Sequence, residues 1–142
     1  PQEAEAILTA AELEGAGATM ISYSMQSGGF LYSGHDAGPL MEQLEHWGAC
    51  AVGFNCVAAD DMTAHLVSKL RRHTRLPLIS KPNAGNPIIN EAGLAEYKLE
   101  PEPFANIQLE AYHNGAALLG GCCGTTPGHM MALKRLLEDN HE

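Results

Sequence analysis

Four short apolar runs, each followed by a longer stretch of helical spacing, leave this chain few folds to adopt. Strands are expected near Thr19–Ser24, Cys50–Asn55, Leu76–Ser80 and Ala116–Gly120. Helices are expected near Gly38–Gly48, Asp60–His73, Pro103–Asn114 and Pro127–Asp139, and one more over Gln2–Glu14 precedes the first strand. Strand and helix in alternation predict an α/β architecture with a parallel sheet, because parallel neighbours need a crossover connection. No low-complexity linker divides the chain, so residues 1–142 are expected to form a single domain. Two long connections, Met25–Gly38 and Pro82–Pro101, both come after strands and are expected to line a site on one rim of the sheet.

The run Gly120-Gly121-Cys122-Cys123-Gly124-Thr125-Thr126-Pro127 lies at the last strand-to-helix junction. Neighbouring side chains on a regular strand point to opposite faces, so Cys122 and Cys123 can share a metal only where the strand has stopped. The flanking glycines permit the turn that this requires. Thr126 suits a helix N-cap and Pro127 the first helical position. A helix start, with its free N–H groups and positive dipole end, favours thiolate over thiol. Cys56 has the same setting: Asn55 and Cys56 come after the apolar run Ala49–Phe54, ahead of a helix start near Asp60 and Asp61. Both cysteine sites thus fall at the C-terminal ends of strands, the rim where α/β proteins bind ligands. Cys56, Cys122 and Cys123 are therefore candidate ligands of Zn²⁺. Three thiolates leave one tetrahedral position open, as a catalytic site needs.

The same residues have blander readings. Cys122 and Cys123 could be a vicinal disulfide or a pair of small packed residues, but the flanking glycines and a third cysteine at a matching rim position fit metal better. Cys50 falls inside a predicted strand and reads as a small packed residue. Asn83-Ala84-Gly85-Asn86-Pro87 has turn chemistry throughout, as a simple surface loop would. Asn55 either orients Cys56 through a hydrogen bond or caps the next segment of the chain. Histidine ligation is not expected: His65 and His73 fall on a predicted helix, His129 is three positions into the last one, His141 is in the tail, and no His-x-x-x-His pair occurs. His35 and His113 read as solvated groups, and Thr125 and Thr126 as turn and capping residues rather than nucleophiles.

Charge narrows the partners. Eight basic against seventeen acidic residues give a net charge of −9, which opposes a nucleic-acid backbone or an anionic membrane surface. No apolar run approaches the roughly 18 residues needed to span a bilayer, and the acidic first segment is unlike a signal peptide. Thiolate ligands suit a reducing compartment, so a cytoplasmic location is expected.

Asn55-Cys56, Lys81-Pro82-Asn83-Ala84-Gly85 and the double-cysteine run, in this order and spacing, resemble the zinc-dependent homocysteine S-methyltransferases. That family includes the homocysteine-binding module of cobalamin-dependent methionine synthase and the betaine-homocysteine methyltransferases. The resemblance runs along nearly the whole chain, matches the family's C-terminal portion and leans toward the methionine synthase branch. It implies a zinc held by Cys56, Cys122 and Cys123, with homocysteine sulfur as the fourth ligand. That sulfur would attack, in line, a methyl group carried by a folate, corrinoid, sulfonium or betaine-type donor. It also implies that the Lys81–Gly85 block frames the amino acid, with Asn83 as a substrate-binding residue, and it assigns no catalytic side chain beyond the zinc site.

The fold that the resemblance implies is a (β/α)₈ TIM barrel, which takes about 250 residues. Four strand–helix units preceded by one helix, in 142 residues, correspond to the second half of it. The other half would supply the acidic contacts to the homocysteine amino group. A half-barrel has two unpaired edge strands and an apolar concave face. Three completions are expected: a homo-oligomer, a complementary half-barrel on another protein, or a longer chain of which this is a fragment. The start at Pro1, without an initiator methionine, favours processing or a fragment. The alternative function is a zinc-binding half-barrel that acts as an assembly module, or survives as a fragment, without independent activity.

Overall fold

The computed structural model describes residues 2–140. In chain order the elements are α1 (Gln2–Leu13), β1 (Met20–Ser24), α2 (Ala37–His46), β2 (Ala51–Ala58), α3 (Thr63–Arg71), β3 (Leu78–Asn83), β4 (Ile88–Ile89), β5 (Ala95–Glu96), α4 (Pro101–His113), β6 (Ala116–Leu119) and α5 (Pro127–Asp139). β1, β2, β3 and β6 lie side by side in that order, and every pairing is parallel. The expected α/β architecture, four parallel strand–helix units preceded by one helix, is the one observed. His141 lies outside the described residues.

Alternation along each strand sorts the side chains onto two faces. Val52, Phe54, Leu78 and Ala116 enter one core with Leu8 of α1, Leu40, Met41 and Leu44 of α2, Leu66, Val67 and Leu70 of α3, and Ala111 of α4. Ile21 and Tyr23 of β1 pack against that core. The intervening residues, Ser22, Gly53, Asn55, Ile79 and Lys81, belong to the opposite face. Gly53 is the tightest point of the sheet. A Cβ at this position would collide with the backbone carbonyl of Ile79, its register partner on β3, so only glycine lets β2 and β3 close up here.

Helix starts reflect local chemistry. The Asp36 carboxylate accepts from Gly38 N–H at 2.8 Å and caps α2. α3 begins later than expected, because Asp60 forms a turn of its own: its Oδ1 accepts from Met62 N–H at 2.9 Å and its carbonyl from Thr63 N–H. α4 begins earlier than expected, at Pro101, and tolerates both Pro101 and Pro103 because first-turn N–H groups have no partner inside a helix.

The two long connections differ from each other. Met25–Gly38 folds back on α3, where the Lys69 ammonium lies 3.1 Å from Asp36, donates to Gly28 O and Gly29 O, and sits 4.3 Å from the centre of the Phe30 ring. Pro82–Pro101 is not a plain loop. It contains the β4–β5 hairpin, closed by Asn90, whose Oδ1 accepts from Ala92 and Leu94 N–H, and by Gly93 at φ 77°.

Replacing Gly53 by Ala is expected to cost about 2 kcal/mol, or roughly 8 °C in melting temperature at this chain length. Thermal unfolding monitored by circular dichroism checks it. An unchanged melting temperature would show that β2 and β3 can part without penalty.

Candidate metal centre

Three backbone devices aim the cysteines at one another. β2 does not end at Asn55 as the sequence suggests; it runs on to Ala58, with a register shift between Asn55 and Ala58. Cys56 sits inside that irregularity at φ 57°, the one positive φ of a non-glycine among the described residues. The left-handed residue breaks the alternation and turns a side chain that a regular strand would place elsewhere. β6 stops at Leu119, and Cys122 and Cys123 lie in the turn before α5, as expected. Gly124 comes next at φ 77°, where a Cβ would also collide with the Tyr97 ring.

The end of β3 serves as the template for this turn. Cys122 N–H donates to Pro82 O at 2.8 Å, Cys123 N–H donates to Asn83 Oδ1 at 3.0 Å, and Ala84 N–H donates to Cys123 O at 2.9 Å. Thr125 closes the turn from the other side, its hydroxyl donating to Cys122 O at 2.7 Å. Below it, the fully buried Gln108 of α4 accepts from Ser80 Oγ and donates to Ser80 O and Gly120 O, tying β3 to β6. No sequence motif announced Gln108; a lone amide on an otherwise apolar helix face was the available signal.

The result is three sulfurs, of Cys56, Cys122 and Cys123, all within 4.8 Å of one another. The Cys122–Cys123 separation is 4.0 Å, close to the edge of about 3.8 Å in a tetrahedron built from Zn–S bonds of about 2.3 Å. Cys56 and Cys122 are closer, at 2.8 Å, inside ordinary sulfur–sulfur contact, and a cation of that size would spread them. Asn55 Nδ2 donates to Cys56 Sγ at 3.2 Å, and Ser22 Oγ in turn donates to Asn55 Oδ1 at 2.8 Å. Asn55 therefore orients Cys56 and does not act as a cap.

Crowding governs the ionisation of these thiols. Cys56 is held below the ordinary thiol value, first by the Cys122 thiol and then by the Asn55 amide. Cys122 is pushed up to about 11 by burial and by its sulfur neighbours. Pro127, where α5 starts, is five positions past Cys122, and a helix dipole acts within the first turn, so it does little to offset that rise. One negative charge is accommodated and further ones repel, so the donor set fits a cation that would neutralise them.

Cys50 precedes β2, is half-buried and takes no part in the cluster; its N–H donates to Thr19 O. No histidine joins the group among the described residues. His129 is buried with both ring nitrogens engaged: Nδ1 accepts from Thr126 N–H at 3.1 Å and Nε2 meets Leu99 O at 2.8 Å. It pins the start of α5 to the segment carrying Tyr97. Tyr97, which has no motif around it in the sequence, is half-buried beside Cys123, and burial, then the neighbouring thiol, raises its phenol above the ordinary value.

Comparison with known proteins agrees with this geometry. A sequence profile described as Homocysteine S-methyltransferase matches residues 1–137. The chain belongs to that family. It is 34% identical over 112 residues to a methionine synthase of Mycobacterium leprae and 36% identical over 109 residues to that of Mycobacterium tuberculosis. These alignments cover 78% and 75% of the chain but 9% of each mycobacterial protein. The homocysteine methyltransferase MmuM from Escherichia coli, in its metallated form, superposes with a TM-score of 0.73 at 26% identity. That superposition covers 94% of the chain and 41% of the E. coli protein. The chain thus spans less than half the length of each of these relatives.

Replacing Asn83 by Ala removes the acceptor for Cys123 N–H and is expected to cost about 1–2 kcal/mol. Denaturant unfolding measures it, and an unchanged midpoint would remove Asn83 as the anchor of the cysteine turn.

Proposed function

We propose that Cys56, Cys122 and Cys123 hold a Zn²⁺ ion and that the chain presents homocysteine, as the fourth ligand, to a donor methyl group. The convergence of three sulfurs within 4.8 Å, with no carboxylate or imidazole in the group, carries this reading. An all-thiolate set with one open position suits zinc among the available divalent ions. When bound, zinc supplies the positive charge that keeps a substrate thiol ionised and nucleophilic near neutral pH.

The chain's own residues then have distinct tasks. Asn55, held by Ser22, aims Cys56; Pro82 and Asn83 hold the Cys122–Cys123 turn. The Asn83 amide nitrogen has no hydrogen-bond partner among the described residues and is the group assigned here to the substrate. Tyr97 covers the Cys123 side. In the transfer itself a sulfur–carbon bond forms as the bond from methyl to its donor breaks in line. The donor class, folate, corrinoid, sulfonium or betaine, lies with contacts beyond this site.

We further assign residues 1–142 to a single homocysteine-binding domain that is half of a (β/α)₈ barrel. β1 and β6 are the edges of the sheet, and each exposes an apolar residue, Met20 at 59% and Leu118 at 40%. These free edges support completion by a second copy or by a complementary half. They also favour a second reading, a zinc-binding assembly module without independent transfer.

Two measurements test these readings. Zinc should displace the Cys122 proton, so uptake is expected to release at least one proton per ion and to tighten about tenfold per pH unit between about 6 and 8. Cys122→Ser should lower zinc affinity by at least about tenfold, and unchanged stoichiometry and affinity in that variant would discard the ligand assignment. Homocysteine titrated into the zinc form should add a fourth sulfur at the zinc absorption edge. A ligand set that never changes would leave the assembly module as the reading.

A further inference from the structure

Lys81 is the one charged side chain carried by the four parallel strands. It is half-buried and makes no hydrogen bond or ion pair among the described residues. A lysine stem packs readily against its neighbours, while the ammonium keeps to water or meets an anion. The position is well defined. Ser80, one residue earlier, points to Gln108 on the helix side, so alternation sends Lys81 to the opposite face. Its Cα is in register with Asn55, the residue that donates to Cys56 Sγ. Its stem runs past Gly120, with Cγ 3.3 Å from where a Cβ would stand, so the glycine makes room for it below the cysteine turn. Its charge is a lesser influence on Cys56, behind the Cys122 thiol and the Asn55 amide.

An amino-acid thiol brings a problem to a thiolate-rich site. Its sulfur ligand adds negative charge where three sulfurs already stand, and its carboxylate, a short aliphatic spacer away, adds more. Like-charge repulsion would favour a simple thiol unless a cation faces the carboxylate. We propose that Lys81 binds the carboxylate of the substrate amino acid and so selects homocysteine over thiols that lack one. The assignment rests on the proposed function above. Lys81 acts on substrate binding and takes no part in the bond changes at sulfur.

The test compares homocysteine with 3-aminopropane-1-thiol, the same molecule without its carboxylate. Cobalt substituted for zinc reports thiol ligation through its sulfur charge-transfer absorption. The wild-type chain is expected to bind homocysteine at least about tenfold more tightly than the aminothiol, the effect of one charged hydrogen bond. Lys81→Gln should abolish that preference, change aminothiol affinity less than about twofold and leave metal stoichiometry intact, while Lys81→Arg should retain the preference. Lys81→Met serves in place of Lys81→Gln if the latter does not hold metal. Equal weakening of both thiols, or a preference that survives, overturns the assignment. Survival together with altered assembly would mean that Lys81 meets an acidic group of a completing half. Failure of both thiols to ligate in the wild type would overturn the proposed function and this inference with it.

Discussion

The hydrogen bonds at the end of β3 are the constraint on which the site depends. Cys122 and Cys123 sit in a turn that has left the sheet, and nothing in their own conformation would aim them at Cys56 on another strand. Their N–H groups are held instead by Pro82 O and Asn83 Oδ1, and the Cys123 carbonyl accepts a bond from Ala84 N–H. Since β3 is also the register partner of β2, the strand that fixes the cysteine turn is the strand beside Cys56. Parallel order does the rest. With β2, β3 and β6 adjacent and codirectional, residues at the ends of three separate strands reach the same rim without any contact between them in sequence.

Much of this was legible in the chain because its signals are local. Apolar runs, proline and glycine positions and the Thr126-Pro127 start located four strands and five helices to within a few residues. The double cysteine, its glycines and Cys56 named the three sulfurs that meet. What escaped was set by tertiary contact. That β2 continues past Asn55 stems from pairing with β3, not from the apolar run, and the positive φ of Cys56 has no signature in a residue type that rarely adopts it. The β4–β5 hairpin did leave a trace, an Asn90 and a Gly93 between short segments, but two-residue strands are too brief for alternation to register. Gln108, Tyr97 and the Nε2 side of His129 act through partners 12 or more residues away, which no spacing rule connects.

Electrostatics explains why the site is built from so many supporting contacts. Thiols brought together resist full ionisation, and burial with its sulfur neighbours holds Cys122 above the ordinary thiol value. Burial makes it worse, since Cys122 is partly removed from water on the same side as the packed turn. On the proposed zinc reading, a site that must become anionic to bind its cation gains from sulfurs fixed beforehand, so that binding does not also have to order the backbone. Ser22, Asn55, Asn83 and Thr125 do that with neutral hydrogen bonds that add no charge of their own.

That division between neutral scaffolding and charge has a consequence for Lys81. If the strands carried several charges, one lysine beside the thiols would be an ordinary member of a solvated network. The strands carry no other Lys, Arg, Asp or Glu, so apart from the Cys56 thiol its field has no partner on the sheet, and an anionic ligand of the site would meet it. Three thiolates around a divalent metal would leave one net negative charge, which the lysine would share with any carboxylate that a bound amino acid brings. The lysine can thus act on a ligand as well, at a distance from the sulfurs that the register between Asn55 and Lys81 fixes in advance.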